Sequence, residues 1–221
     1  MLRKALAAAL VVVVLTTALS WALRRVKNEL DHDNAIAYYG RGCTHQNNGD
    51  YGKAIADYTE AIRLNPNYTQ ACNNRGHAYS ERGHSGDNER AINDFTEALR
   101  LNHPDTAMVY RNRGTAYLEG EQYDQAIVDF TAVIRLEPSD VSAYNSRGVA
   151  YRNKGDYDRA IADYDEAIRL RPEYVIAFHN RGNAYRAKGD EERAMADYAH
   201  EAILHNLVNP LREAASGLKR R

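Results

Sequence analysis

The sequence predicts an all-α protein, an α-solenoid of five helical hairpins that follows one hydrophobic N-terminal helix. Two observations predict this fold class. Residues 37–66 and 143–172 are identical at nineteen of thirty aligned positions. An Arg-Gly pair also recurs along the chain, at spacings of 34, 38, 34 and 34 residues. A fixed period of this length is typical of stacked repeats, each of which is too small to bury a core alone.

The repeats are 35–68, 69–106, 107–140, 141–174 and 175–208. Apolar residues recur at steps of three and four, which predicts two amphipathic helices in each repeat, at about positions 1–14 and 17–31. A glycine that tolerates the left-handed conformation closes the first helix at Gly49, Gly83, Gly155 and Gly189. The aspartate that follows it is expected to cap the second helix, at Asp50, Asp156 and Asp190.

Small and aromatic residues alternate in a fixed order within each repeat. In repeat 4 the order is Tyr144, Gly148, Tyr151, Ala160, Tyr164, Ala167 and Pro172, at positions 4, 8, 11, 20, 24, 27 and 32. This order resembles the tetratricopeptide repeat family over residues 35–208. The resemblance implies a right-handed α-solenoid with a concave groove that is lined by the first helices and binds ligands.

Several repeats depart from the pattern, and the departures of repeats 2 and 5 bear on their helix geometry. Repeat 2 carries about three extra residues near 84–87, between its helices. Repeat 5 has Glu201 at position 27, and its residues 201–203 echo residues 166–168, which suggests a second helix shifted by one residue. Terminal repeats are often atypical because one of their faces meets water.

Arginine occupies position 7 and aspartate occupies position 23 in all five repeats. Because the two positions lie on facing helices, we expect an ion pair within each hairpin, such as Arg147 with Asp163. The alternative is that the arginines bind a ligand.

Residues 5–23 contain no charge and are flanked by basic residues on both sides. As a helix they would extend roughly 28 Å, about the thickness of the hydrocarbon layer of a bilayer. We expect residues 1–27 to be a single-pass membrane anchor, with the repeats on the exported side. The alternative is a cleaved signal peptide, because small residues near Ser20 fit a cleavage site and would leave a periplasmic or secreted protein. Residues 28–34 are predicted to be a polar tether, with Asn34 as a helix cap, and residues 209–221 a C-terminal tail.

Composition argues against several classes of function. The net charge of −1 and the lack of a basic stripe argue against nucleic-acid binding. The chain shows no phosphate-binding loop, no nucleophile motif and no ligand spacing for a metal, so we expect no enzyme activity, no cofactor and no metal site. Cys43 and Cys72 are either two separate thiols or, in an exported chain, a disulfide.

The resemblance places ligand contacts at positions 2, 5, 6, 9, 12 and 13 of the first helices. These positions are rich in amides and arginines, which can hydrogen-bond an extended peptide. The alternative is a merely solvated face. The candidate partner-binding residues are Asn73, Asn74, His77, Arg111, Asn112, Thr115, Asn145, Arg152, His179, Asn180, Asn183 and Arg186.

The sequence therefore predicts a membrane-tethered interaction module that binds an unidentified partner protein or peptide in its groove, without catalysis. The alternative is a structural or assembly factor of an envelope complex that self-associates or uses its convex faces.

Overall fold

The structure is a computed structural model that describes residues 2–218 and the side chains of residues 16–205. Every regular element in the described residues is an α-helix, which confirms the predicted all-α class. The chain divides into two compact units, Met1–His84 and Ser85–Arg221. The division falls within the extra residues of repeat 2.

Unit 1 contains three helices, and the middle one packs against both of the others. They are α1 (Leu2–Asn47), α2 (Tyr51–Leu64) and α3 (Thr69–Arg82). The core of this unit is formed by Ala54, Tyr58 and Ala78, which are fully buried, with Tyr39 and Cys43 packed against them.

Helix α1 runs without interruption through the predicted tether into the first helix of repeat 1. Asn34 lies inside this helix, so the predicted helix start and cap at that residue are wrong. Residues 16–30 are exposed, including Trp21 at 66%. Among the described residues no helix is both long and apolar enough to cross a membrane. The side chains of residues 5–15 lie outside the described residues, so the membrane segment stays a prediction.

Unit 2 contains seven helices in the described residues, and each packs against the next along the chain. First helices of adjacent repeats also touch, α5 with α7 and α7 with α9. The helices are α4 (Asp87–Arg100), α5 (Thr106–Glu119), α6 (Tyr123–Leu136), α7 (Val141–Asn153), α8 (Tyr157–Leu170), α9 (Val175–Ala187) and α10 (Glu191–Leu218). This order of hairpins is that of a solenoid.

The glycine at position 8 is required by a ring on the facing helix. A Cβ added to Gly148 would lie 2.6 Å from Cε1 of Tyr164, and one added to Gly42 would lie 2.7 Å from Cε1 of Tyr58. Neither contact is possible without movement of a buried ring. Glycine therefore sets how closely the two helices of a hairpin approach.

The turns between the two helices of each hairpin agree with the sequence-based prediction in part. Gly49, Gly83, Gly155 and Gly189 all adopt positive φ, as predicted. In repeat 3 the same place is taken by Glu121, which adopts a φ of 58°. Asp156 accepts a hydrogen bond from the backbone N–H of Arg159 at 3.1 Å, and Asp190 caps α10 in the same way through Arg193. The predicted cap at Asp50 is wrong, because its carboxylate accepts from Lys53 Nζ instead.

Four of the five predicted Arg–Asp pairs form as bidentate ion pairs. Arg147 donates from Nε and Nη2 to the two oxygens of Asp163, at 2.9 and 2.7 Å. The same contact joins Arg41 to Asp57, Arg113 to Asp129 and Arg181 to Asp197. Arg75 and Asp94 belong to different units, and their pairing stays a prediction.

Arg113, Arg147 and Arg181 also contact the preceding repeat. Arg147 Nη1 donates to Thr131 at 3.0 Å, and Arg113 Nη1 donates to Thr96 at 3.0 Å. In unit 1, Arg75 Nη1 donates to Thr59 at 3.1 Å. The arginine therefore joins two helices of its own hairpin and links them to the neighbouring hairpin. Sequence reasoning missed this second contact.

The last repeat keeps the common register. Ala194 and Asp197 are buried as their counterparts are, and a Cβ on Gly182 would lie 2.7 Å from Cε1 of Tyr198. Glu201 is half-buried, whereas Ala202 is exposed. The predicted one-residue shift is therefore wrong, because the inward position belongs to Glu201.

Candidate functional site on the first helices

In unit 1 the predicted site residues form a small polar cluster on α3. Asn74 donates from Nδ2 to the hydroxyl of Tyr39 at 3.1 Å, a contact between neighbouring first helices. Asn73 is buried and donates to Asn74 Oδ1 at 3.3 Å. His77 Nδ1 lies 3.1 Å from the amide nitrogen of Gln46 on α1. Asn73 and Asn74 are thus joined by a hydrogen bond, whereas His77 contacts α1 separately.

The hydroxyl of Tyr39 lies in a protected environment. Burial, followed by the proximity of the Cys43 thiol, raises the pKa of Tyr39 to about 12. The hydroxyl therefore remains protonated in neutral solution and can donate a hydrogen bond. Cys43 and Cys72 are both free thiols, so the structure contains no disulfide between them.

In unit 2 an asparagine pair links α7 and α9. Asn180 donates from Nδ2 to Oδ1 of Asn145 at 2.9 Å. Asn180 also accepts a long hydrogen bond of 3.4 Å from Arg152 Nη1. The side-chain nitrogen of Asn145 donates no hydrogen bond within the described residues, although this residue is 8% exposed. The pair therefore leaves N–H groups that can donate to a ligand.

Arg111 has a different environment from the one that the sequence predicts. Its guanidinium donates to Asp140 at 2.9 and 2.6 Å and to Glu137 at 2.6 Å. Asp140 in turn caps α7 by accepting from the backbone N–H of Ala143 at 3.0 Å. Arg111 therefore fixes the connection between repeats 3 and 4, and its charge is neutralised by two carboxylates.

The remaining predicted residues lie along α5 and α9. Thr115 is exposed, and its hydroxyl donates to the backbone carbonyl of Arg111 at 3.0 Å, whereas Asn112 is half-buried. Asn183 accepts from the hydroxyl of Tyr198 at 2.9 Å. Arg186 is exposed, contacts Asn183 at 3.4 Å, and places its guanidinium 5.8 Å from the ring centre of Tyr198. No carboxylate among the described residues pairs with it, so its charge is available to an anionic group.

His179 lies beside the last helix. Its Nδ1 atom is 3.0 Å from Oε2 of Glu201. Glu201 replaces the usual alanine of position 27, so the histidine and the glutamate form a contact that only repeat 5 can make. In the described part of the chain no group of three or more His, Cys, Asp or Glu side chains is placed to hold a metal ion.

The tyrosines at position 24 lie on the second helices, and their hydroxyl groups differ in hydrogen bonding. The hydroxyl of Tyr58 donates to Gln46 Oε1 at 2.7 Å. The hydroxyl of Tyr164 is buried but has no hydrogen-bond partner among the described residues. Position 9 of repeat 4 is Val149, which offers no acceptor, and position 12 is Arg152, which is a donor only. Sequence reasoning missed this difference, although residue types alone contained it.

Comparison with known families accounts for the repeated pattern. Models of the tetratricopeptide repeat match residues 35–68 and, in three overlapping stretches, residues 80–140, 111–175 and 147–205. The chain belongs to the tetratricopeptide repeat family. The matches cover most of the two units and agree with the helical hairpins described above. No curated protein sequence matches the chain.

Several solved structures share this fold. MamA 41-end from Desulfovibrio magneticus RS-1 is 25% identical, with a TM-score of 0.74 over 79% of this chain and 96% of that one. Another MamA structure is 24% identical, with a TM-score of 0.72 over 79% of this chain and 93% of that one. YrrB, described as a TPR protein with an unusual peptide-binding site, is 22% identical, with a TM-score of 0.68 over 92% of this chain and 98% of that one.

Proposed function

We propose that this protein is a membrane-tethered interaction module that binds a partner protein or peptide on the polar face of its first helices, without catalysis. Membership of the tetratricopeptide repeat family supports a role in protein binding. The observation that carries the choice of face is the asparagine pair of unit 2. Its hydrogen bond holds Asn180 and Asn145 in place, the side-chain nitrogen of Asn145 has no acceptor among the described residues, and Arg152 contacts Asn180. Arg186 lies further along α9, beside Asn183.

This face is suited to a ligand that accepts hydrogen bonds. The N–H groups of Asn145, Arg152 and Arg186 are donors, and an extended peptide offers backbone carbonyls at regular intervals. Because the asparagines are already ordered, binding loses less side-chain entropy than it would on a mobile surface. The peptide-binding site named for YrrB is consistent with this role, although the identity of 22% supports only the shared fold.

A charge-reversal experiment tests the proposal. The full-length chain serves as bait for membrane extracts, as wild type and as Arg152→Glu with Arg186→Glu. We expect the double variant to lose a protein that the wild type retains. Arg171→Glu is the matched control, because Arg171 is exposed and lies in the connection before α9, outside the predicted face. The groove is excluded if wild type and double variant retain the same proteins in equal amounts.

The membrane anchor is a separate part of the proposal. It rests on the uncharged residues 5–23 and on the exposed Leu19, Trp21 and Leu23 at the described end of that stretch. Mass analysis of the mature N-terminus tests it. We expect a peptide that retains residues 2–24 in the membrane fraction after carbonate extraction. A mature chain that begins near Trp21 in a soluble fraction would instead make the protein periplasmic or secreted.

A structural role in an envelope complex is the second candidate. It is favoured by Met195 and Ile203, which are 60% and 55% exposed on α10 of the last repeat. Two apolar side chains eight residues apart lie on one helix face, where a second chain can pack. Light scattering decides between the candidates. A dimer that Met195→Ser with Ile203→Ser abolishes supports the assembly role, and a monomer at high concentration opposes it.

A further inference from the structure

Repeat 3 differs from its neighbours on the outer surface of its second helix. Repeats 1, 2 and 4 carry glutamate at position 26 and arginine at position 29. These residues form ion pairs one turn apart, Arg63 with Glu60 at 2.8 Å, Arg100 with Glu97 at 2.6 Å and Arg169 with Glu166 at 2.5 Å. Repeat 3 keeps the arginine as Arg135 but has Ala132 in place of the glutamate.

Arg135 consequently lacks the ion pair that its counterparts make with the residue three positions earlier in the helix. It is exposed, and it makes no hydrogen bond or ion pair with any residue that the structure describes. The only other charges that line the same surface belong to Arg113 and Asp129, which neutralise each other at 2.8 Å. The surface therefore presents one uncompensated positive charge, and an anionic group is its electrostatic complement.

An exposed apolar residue adjoins this arginine. Position 22 is Val128 in repeat 3 but Ala56, Asn93, Ala162 and Ala196 in the other repeats. Val128 is 67% exposed, the largest value among the exposed large apolar side chains of the described residues. Both departures of repeat 3 thus lie on one face of α6, at positions 22, 26 and 29.

These residues line an open cleft with a volume of about 470 Å³. Its walls are Tyr110 and Arg113 of α5 and six residues of α6, namely Ile127, Val128, Asp129, Thr131, Ala132 and Arg135. The volume lies in the range of a ligand pocket and is sufficient for one or two peptide side chains. None of the predicted groove residues lines this cleft, so it is a surface distinct from the proposed peptide-binding face.

We propose that this cleft is a second docking site, for a partner segment that presents a large apolar side chain next to an aspartate or glutamate. The apolar side chain covers Val128 and Ala132, and the carboxylate accepts hydrogen bonds from the guanidinium of Arg135. The glutamate that the other repeats supply from their own helix is here supplied by the partner. The site goes beyond the proposed function, because it does not use the groove.

Fluorescence anisotropy with the full-length chain tests this site. The probes are labelled octapeptides in which one Leu, Phe or Trp adjoins one Asp or Glu, and a second set has Lys in place of the acid. We expect the acidic set to bind and the basic set to fail. Arg135→Ala should weaken binding about tenfold, because it removes a charge-assisted contact. Higher salt should weaken binding to the wild type but not to this variant.

Ala132→Glu is the sharpest variant, because it rebuilds the ion pair that the other repeats contain. It should fold normally, as judged by circular dichroism, and lose binding as Arg135→Ala does. Arg169→Ala in repeat 4 is the matched control and should bind as the wild type does. The proposal is overturned if no acidic probe binds below millimolar concentration, or if binding survives Ala132→Glu. It is also overturned if Val128→Ser abolishes a dimer, which would identify the occupant as a second copy.

The test is independent of the groove. Arg152→Glu with Arg186→Glu should leave the binding of the acidic probes unchanged, and Ala132→Glu should leave capture by the groove unchanged. Failure of one site therefore does not imply failure of the other.

Discussion

Repeats 1 and 4 have nearly the same sequence pattern but differ in how their shared residues are satisfied. Arg41 and Arg147 contact an aspartate in the same way, yet the side chain of Arg41 is 60% exposed and that of Arg147 is 17% exposed. Arg147 has a third contact, to Thr131 of the preceding repeat. Arg41 has no such hydrogen bond among the described residues, because it belongs to the first of the five repeats. The exposure and the hydrogen bonds of this arginine therefore depend on which repeat it belongs to.

The tyrosine at position 24 shows a second difference between these repeats. The hydroxyl of Tyr58 has an acceptor in Gln46, whereas that of Tyr164 has none among the described residues. Burial raises the pKa of both tyrosines, so both remain neutral. Identical residues at identical positions thus differ in hydrogen bonding because the residue at position 12 differs. Each of the following predictions compares equivalent positions in two repeats.

The largest effect is expected at the Arg–Asp pairs. Arg147→Ala should lower the free energy of unfolding by about 3–5 kcal/mol, because it leaves the buried carboxylate of Asp163 unpaired. Arg41→Ala should cause a clearly smaller loss, since water already reaches that guanidinium. Urea unfolding of both variants measures the difference.

A double-mutant cycle with Asp163→Ala is the control for this pair. The losses of unfolding free energy in the two single variants should add up to more than the loss in the double variant. The reason is that removing both partners leaves no unpaired buried charge. Strict additivity, or equal losses at Arg41 and Arg147, would contradict the role assigned to the stacked arginine.

The next effect is expected at the glycine of position 8. Gly148→Ala should lower the free energy of unfolding by about 1–3 kcal/mol, because its Cβ would overlap the buried ring of Tyr164. Gly114→Ala should cost less, since the nearest ring atom, of Phe130, lies 3.1 Å away rather than 2.6 Å. Thermal unfolding of the two variants checks the order, and a larger loss at Gly114 would contradict it.

Much of the fold could be predicted because the same order of small, aromatic and charged residues recurs in each repeat. The Arg147–Asp163 contact follows from two residue types that recur at fixed positions on facing helices. The one-residue shift predicted for the second helix of repeat 5 was wrong. The similarity of residues 201–203 to residues 166–168 is local, whereas Ala194 and Asp197 keep the common positions 20 and 23 and are buried there. The helical conformation of residues 28–34 was not predicted, because polar composition does not distinguish a linker from an exposed helix.

The site was less predictable because groove positions do not reveal their neighbours. Arg111 is tied to Asp140 and Glu137, which lie in the next connection and depend on the turn geometry. The hydroxyl of Tyr164 depends on which side chains stand at two other positions of its repeat. Such contacts require coordinates, whereas the sequence placed Asn145 and Asn180 at neighbouring positions of adjacent first helices, where they do contact each other.

A smaller effect is expected at the tyrosine hydroxyls. Tyr58→Phe should lower the free energy of unfolding by about 1 kcal/mol, because it removes a hydrogen bond to Gln46. Tyr164→Phe should leave it unchanged or raise it by up to about 1 kcal/mol, because the lost hydroxyl is buried without a partner. Equal losses in the two variants would show that Tyr164 has an acceptor after all.

The smallest effect is expected at the turns of repeats 3 and 4. Glu121 adopts a φ of 58°, where Gly155 occupies the same position of the next repeat at 81°. A side chain with a Cβ is strained in this region, so Glu121→Gly should raise the free energy of unfolding by about 0.5–1 kcal/mol, after the entropy of the more flexible glycine is included. Gly155→Ala should lower it by about 1 kcal/mol for the same reason. Thermal unfolding of both variants should therefore give shifts of opposite sign. A gain at Gly155, or a loss at Glu121, would mean that contacts of the side chain outweigh the backbone strain.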